Sequence, residues 1–183
     1  MAGFIPDITT RVTVNVHSEN LEQARAAYES NPFISQLSEV LKELESKEQQ
    51  LKALEQPVAN AIAEQLKSNQ ENIIATKHFI TGKMVGSVEI SNEGSDYIVG
   101  NTATSVDGFP YPLAIEKGRI GGYEVRPVRA KALHWFDKKS GEEVFAKVSH
   151  PGAYAGDPFV EPSIDLTLSE VEKVVRDYLG EIK

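Results

Sequence analysis

The chain has 183 residues, 40% of them apolar and 25% charged, enough for a core of ordinary size. It contains no cysteine, which excludes disulfides, thiol catalysis and cysteine-based zinc sites. Nineteen Lys and Arg stand against 27 Asp and Glu, a formal charge of −8, which excludes a general basic field for gripping nucleic acid.

The first residues carry no basic segment leading into a long apolar run, so no secretory signal is expected. No stretch approaches the roughly 18 consecutive apolar residues of a membrane span. These features predict a protein made in the cytosol.

Residues 8–16 place Ile8, Val12, Val14 and Val16 on one side and Thr9, Arg11, Thr13 and Asn15 on the other. That alternation, rich in β-branched residues, predicts a strand. Ser18 or Asn20 can cap a short helix over residues 21–30, which ends before Asn31-Pro32. From Ser35 to Phe79 the pattern is helical. Leu37, Leu44, Leu51 and Val58 recur at heptad spacing, Val40, Leu54 and Ala61 fill the intermediate slot, and Lys47 interrupts it. Pro57 predicts a kink or a fresh start, because it lacks an amide donor and clashes with the preceding turn. The two helices either pack on the domain or stand out as a hairpin arm.

Beyond Thr81-Gly82 the composition changes. Residues 85–91, 96–101, 123–128, 132–137 and 142–149 are short, rich in Val, Ile and aromatics, and bounded by Gly, Asn and Asp. They predict antiparallel strands, with a hairpin turn at Lys138-Lys139-Ser140-Gly141. Residues 101–112 read as loop and 118–122 as a glycine-rich break. Pro162 suits the first turn of a last helix, in which Ile164, Leu168, Val171, Val175, Tyr178 and Ile182 share one face. The order predicts a single α+β domain over 1–183: an antiparallel β-sheet with helices packed on one face, a long-helix region over 20–79, and a sheet plus C-terminal helix over 80–183.

Local chemistry is sparse. His17, His78, His134 and His150 show no metal-binding spacing, and there is no nucleophile elbow, P-loop or dinucleotide fingerprint. A distant pairing of His134 or His150 with Asp137 or Asp157 would be the route to a hydrolase or metal enzyme. Arg126, Arg129, Lys131, Lys138 and Lys139 form a basic cluster near Tyr123, Trp135 and Phe136. It reads either as a stacking surface for nucleic acid or as strand aromatics facing a core, with edge lysines for solubility. The second is the expectation.

Several phrases occur in a recognisable order. They are Thr81-Gly82-Lys83-Met84-Val85-Gly86-Ser87-Val88, Tyr111…Ile115-Glu116-Lys117-Gly118, residues 125–135, His150-Pro151-Gly152, and Pro158-Phe159-Val160-Glu161-Pro162-Ser163. Together they resemble the tail-component family of tailed phages, the gene-product-ten-like proteins of phage Hong Kong ninety-seven type. The match covers roughly residues 75–183, and the chain departs from it in a longer N-terminal part and in extra residues at 106–110. The resemblance implies a structural virion protein with neither enzyme activity nor cofactor. It would join head to tail or complete the tail, as copies of itself in a ring. Its partners would be neighbouring neck, connector or tail proteins, with DNA passing without specific readout and no membrane. Its location would be the virion neck or tail, after synthesis in the host cytoplasm. A tail terminator or baseplate adaptor is the alternative virion role. The fold or interface residues so implied are Thr81, Gly82, Tyr111, Glu116, Gly118, His150, Pro151, Gly152, Pro158, Phe159 and Pro162.

Overall fold

The computed structural model describes residues 8–16, 23, 26, 34–78, 82–106, 108–137 and 140–180. Thr81 and nearly all of the helix expected at 21–30 lie outside them. Among the described residues, the elements in chain order are β1 (Thr9–Val12), α1 (Ile34–Ala53), α2 (Glu55–Lys77), β2 (Val88–Glu93), β3 (Asp96–Asn101), α3 (Tyr111–Lys117), β4 (Leu133–Phe136), β5 (Glu143–Ala146) and α4 (Val160–Leu179). This is the expected α+β class with antiparallel pairing throughout. The chain divides into two compact units, Met1–Ala103 with Phe159–Lys183, and Thr104–Pro158. The strands are shared between them as a three-stranded sheet and a two-stranded hairpin.

In the first unit the strand order is β1-β3-β2, so the middle strand arrives last in sequence. β2 and β3 form a hairpin closed at Gly94-Ser95, with Ile90 opposite Val99, and β1 adds on with Thr10 opposite Val99. Because β3 is flanked on both edges, it is the most buried strand: Ile98, Val99, Gly100 and Asn101 are all inside. A fully buried Asn is tolerated only when its amide is paired. Asn101 Nδ2 donates to the Met84 carbonyl at 2.8 Å, and its Oδ1 accepts from the Ala103 amide at 3.0 Å.

α2 is the central helix and packs against both the sheet and α4. Val58, Ala59, Ala63, Leu66 and Ile74 recur at three- and four-residue spacing along its buried face. The helical region breaks at Leu54, whose amide bonds back to Leu51, and restarts at Glu55. Pro57 therefore sits in a first turn, where its missing amide costs nothing. That matches the fresh start expected from the sequence. At this break Leu51 and Leu54 of the heptad stripe face Val14, Val16 and Leu179 across a cavity of about 210 Å³. Val40, higher in the stripe, is exposed.

α4 buries Ser163 and Thr167 toward α2. The Thr167 hydroxyl donates to the Ser163 carbonyl at 2.7 Å and accepts from Asn69 Nδ2 at 3.1 Å, and the same Asn69 amide reaches Glu170 Oε2 at 3.1 Å. A satisfied polar seam therefore fixes the register of the two helices within an otherwise apolar contact. Pro162 falls in the first turn of α4, as expected.

The second unit is an irregular antiparallel ribbon. The Asp157 amide donates to the Ile115 carbonyl at 2.8 Å. Arg119 and Tyr154 exchange both backbone bonds at 2.7 and 3.0 Å, and Val125 and Ser149 exchange theirs at 2.8 and 2.9 Å. β4 and β5 then pair from Leu133↔Ala146 to Phe136↔Glu143. Residues 115–157 are thus one long hairpin whose register slips several times on the way to the turn near 140.

Three expectations need correcting here. Residues 123–128 form no strand: Val125 makes one isolated bridge, because Pro127 removes a donor and the flanking register does not hold. Residues 118–122 are not a free loop but one rail of the ribbon. The stretch read as loop up to 112 gives way at Tyr111 to the short helix α3, with Pro112 in its first turn.

Candidate assembly surfaces

The ribbon gathers most of the phrases singled out in the sequence. α3 carries Tyr111 and Glu116 and ends at Gly118, whose φ is 77°. A Cβ at Gly118 would strike the Tyr154 carbonyl oxygen, and one at Gly156 would lie 2.7 Å from the Glu116 carbonyl oxygen. The 116–118 and 154–156 backbones therefore meet at a distance that only glycine permits, and Gly156 also has a positive φ of 90°. Next along the ribbon, the Pro151 carbonyl accepts from the Gly122 amide at 3.4 Å and the Gly152 carbonyl from Arg119 Nε at 3.3 Å. His150 is exposed at this point. Burial pushes the Tyr111 phenol above its ordinary pKa.

The remaining candidates fall elsewhere. Phe159 is completely buried and is the largest buried side chain of the first unit, so it is a core residue rather than a contact residue. Pro158 is exposed in the second unit, and Pro162 is part of α4. Gly82 has a φ of 75° and its carbonyl accepts from the Gly86 amide at 3.0 Å, so it shapes a turn. Gly152 has neither a positive φ nor a backbone close to where its Cβ would lie.

The aromatics of the ribbon overturn the expectation that they face a core. Phe136 is 63% exposed and Phe145 65%, with Trp135 and Tyr123 also exposed. A two-stranded ribbon has two faces, so alternation alone does not bury one of them. On one face His134 stacks on Phe145 at 4.6 Å between ring centroids and meets Phe136 edge-on at 5.5 Å. The Glu143 carboxylate lies 2.7 Å from His134 Nε2. Most of the exposed large apolar side chains among the described residues belong to this second unit, although it is much the smaller. No arrangement of residue types in the sequence separates such a face from a buried one; the separate two-stranded pairing of β4 and β5 emerges only in the structure.

The charge is unevenly divided. The second unit holds eight Lys and Arg against seven Asp and Glu, and the first holds eleven against twenty. The acidity of the chain therefore resides in the first unit.

The first unit presents its own apolar feature, which sequence reasoning missed. A groove of about 410 Å³ runs beside the edge strand β1. Val12, Val58, Leu66, Leu168, Val171 and Val175 line it. At one end Arg11 spans Glu93 at 2.9 Å and Asp96 at 2.5 Å, and Thr13 donates to the same Asp96 at 2.9 Å. These bonds, Arg11 first and Thr13 second, hold the Asp96 carboxyl below its ordinary value.

Among the described residues no cluster of three or more His, Asp or Glu is placed to hold a metal. His134 meets Glu143, rather than the acids considered from sequence. No described helix is long and apolar enough to cross a membrane. Comparison with known proteins finds no matching family model, no matching curated protein and no matching solved structure.

Proposed function

We propose that this chain is a structural protein of a phage virion, at the neck or tail top, which joins head to tail or completes the tail as part of a ring. The observation that carries the reading is the second unit itself. A ribbon with almost no buried side chains of its own presents exposed aromatics, and it holds the Tyr111–Gly118 and His150–Gly152 phrases of the tail-component resemblance in one bonded arrangement. Exposed apolar surface on this scale is costly in a free monomer and is explained by a partner that covers it. A subunit in a ring repeats one contact between two different surfaces, which an apolar ribbon and a separate apolar groove supply.

The test is immunogold electron microscopy of purified particles with antibody to this chain, alongside particle mass spectrometry. Label at the head–tail junction is expected. Label at the distal tip would assign it to a baseplate adaptor, and a chain missing from particles would overturn the virion role.

A further inference from the structure

We propose that the β4–β5 hairpin of one copy docks into the groove beside β1 and α4 of a second copy, making a head-to-tail contact. The inference rests on the assembly reading above and adds to it the two surfaces and the occupant.

The argument is one of complementarity. The hairpin offers Phe136 and Phe145, both about two-thirds exposed, on the face that also carries His134. Exposed Arg129, Lys131 and Lys147 lie toward its base, Lys147 two residues beyond Phe145, whereas exposed Glu142 and Glu143 lie toward its turn. The groove offers an apolar floor of Val12, Leu66, Val171 and Val175, with Leu168 65% exposed at its lip. Exposed Asp165 and Glu172 stand three residues before and four after Leu168, so they flank it on the helix surface. Arg176 neutralises part of this rim, since its guanidinium is taken up by Glu172 at 2.5 Å. Arg11 at the far end is balanced by two carboxylates. An aromatic segment with basic residues at its base therefore meets an apolar slot whose α4 lip carries Asp165 and Glu172. The unit bearing the slot carries nine more acidic than basic residues, whereas the unit bearing the hairpin is nearly neutral. A second copy is the occupant with both surfaces already in its sequence. The two surfaces differ, so the contact leaves a free hairpin at one end and a free groove at the other, and it propagates until it closes.

The experiment uses the full chain and sedimentation velocity, with circular dichroism to verify folding. One variant is Phe136→Ser with Phe145→Ser; the other is Leu168→Glu. All three positions are exposed, so folding should survive. Wild type should self-associate, more weakly as salt rises from about 0.05 to 0.5 M. Each variant should lose association by about tenfold or more. An equimolar mixture of the two should form a dimer that grows no further, because it retains one intact hairpin and one intact groove. A wild-type chain that stays monomeric, or variants that associate as wild type does, would overturn the contact. A mixture that fails to form a dimer would do the same. Unchanged association of both variants, with label at the neck, would leave the virion role standing. Association behaving as predicted, with the chain missing from particles, would leave the contact and remove the virion role.

Discussion

Gln70 is the residue with the least comfortable position. It is completely buried on α2, yet neither its Nε2 nor its Oε1 has a hydrogen-bond partner among the described residues. A buried unpaired amide costs about 1–3 kcal/mol. Replacing it by Leu, close in volume and without polar atoms, should stabilise the first unit by about 1–2 kcal/mol, read as a higher denaturant midpoint with unchanged slope. Asn101 makes the opposite case, because both ends of its amide are paired. Asn101→Ala should cost about 2 kcal/mol or more, from two lost bonds and a small cavity. The glycines separate in the same way. Gly156→Ala should disrupt the ribbon, since its φ and the Glu116 carbonyl both forbid a side chain, whereas Gly152→Ala should be close to neutral. Amide hydrogen exchange at Arg119 and Tyr154 would read the difference. Sequence singled out Gly118 and Gly152 alike, as fold or interface residues. The two could not be told apart there, because the need for glycine at 118 comes from a backbone nearly forty residues further on.

At the scale of elements, what the sequence made legible was periodicity. The strand at 96–101, the hairpin around Gly141, the restart near Pro57 and the final helix all follow local pattern, and the structure has each of them. The failures come from partners that pattern does not name. Residues 123–128 alternate like a strand, but the rail opposite them runs out of register, and one bridge at Val125 is all that forms. Trp135, Phe136 and Phe145 lie in strands whose aromatics were expected to face a core, and all three are exposed. The groove beside β1 was not legible at all, since it is assembled from three elements far apart in the chain. The edge strand also sets a pH dependence. Asp96 titrates lower in the folded chain than in the unfolded one, so its bonds to Arg11 and Thr13 contribute stability above the unfolded value and lose it as pH falls through the folded one. Melting temperature should therefore decline as pH falls below about 4, and less so in Asp96→Asn, which starts lower and has less to lose.

At the scale of the whole molecule, nearly all of the buried apolar residues belong to the first unit. Replacing residues 104–158 by a flexible glycine–serine linker should therefore leave a chain that still unfolds cooperatively. Its thermal midpoint should lie close to that of the first unit in the full chain, as calorimetry would show. The same deletion should abolish self-association. Stability would thus rest on the first unit alone and assembly on both units, so a reading based on core pattern describes the frame well and the ribbon poorly.

The ribbon leaves the frame after Ala103 and rejoins it at Phe159, and both of these residues are buried. It is therefore held by two covalent stems rather than one. A pull on the ribbon is divided between the end of β3, locked by two neighbouring strands, and the start of α4, anchored by the Phe159 ring. Tension across such a joint loads the sheet and the helix layer at once, rather than one element alone.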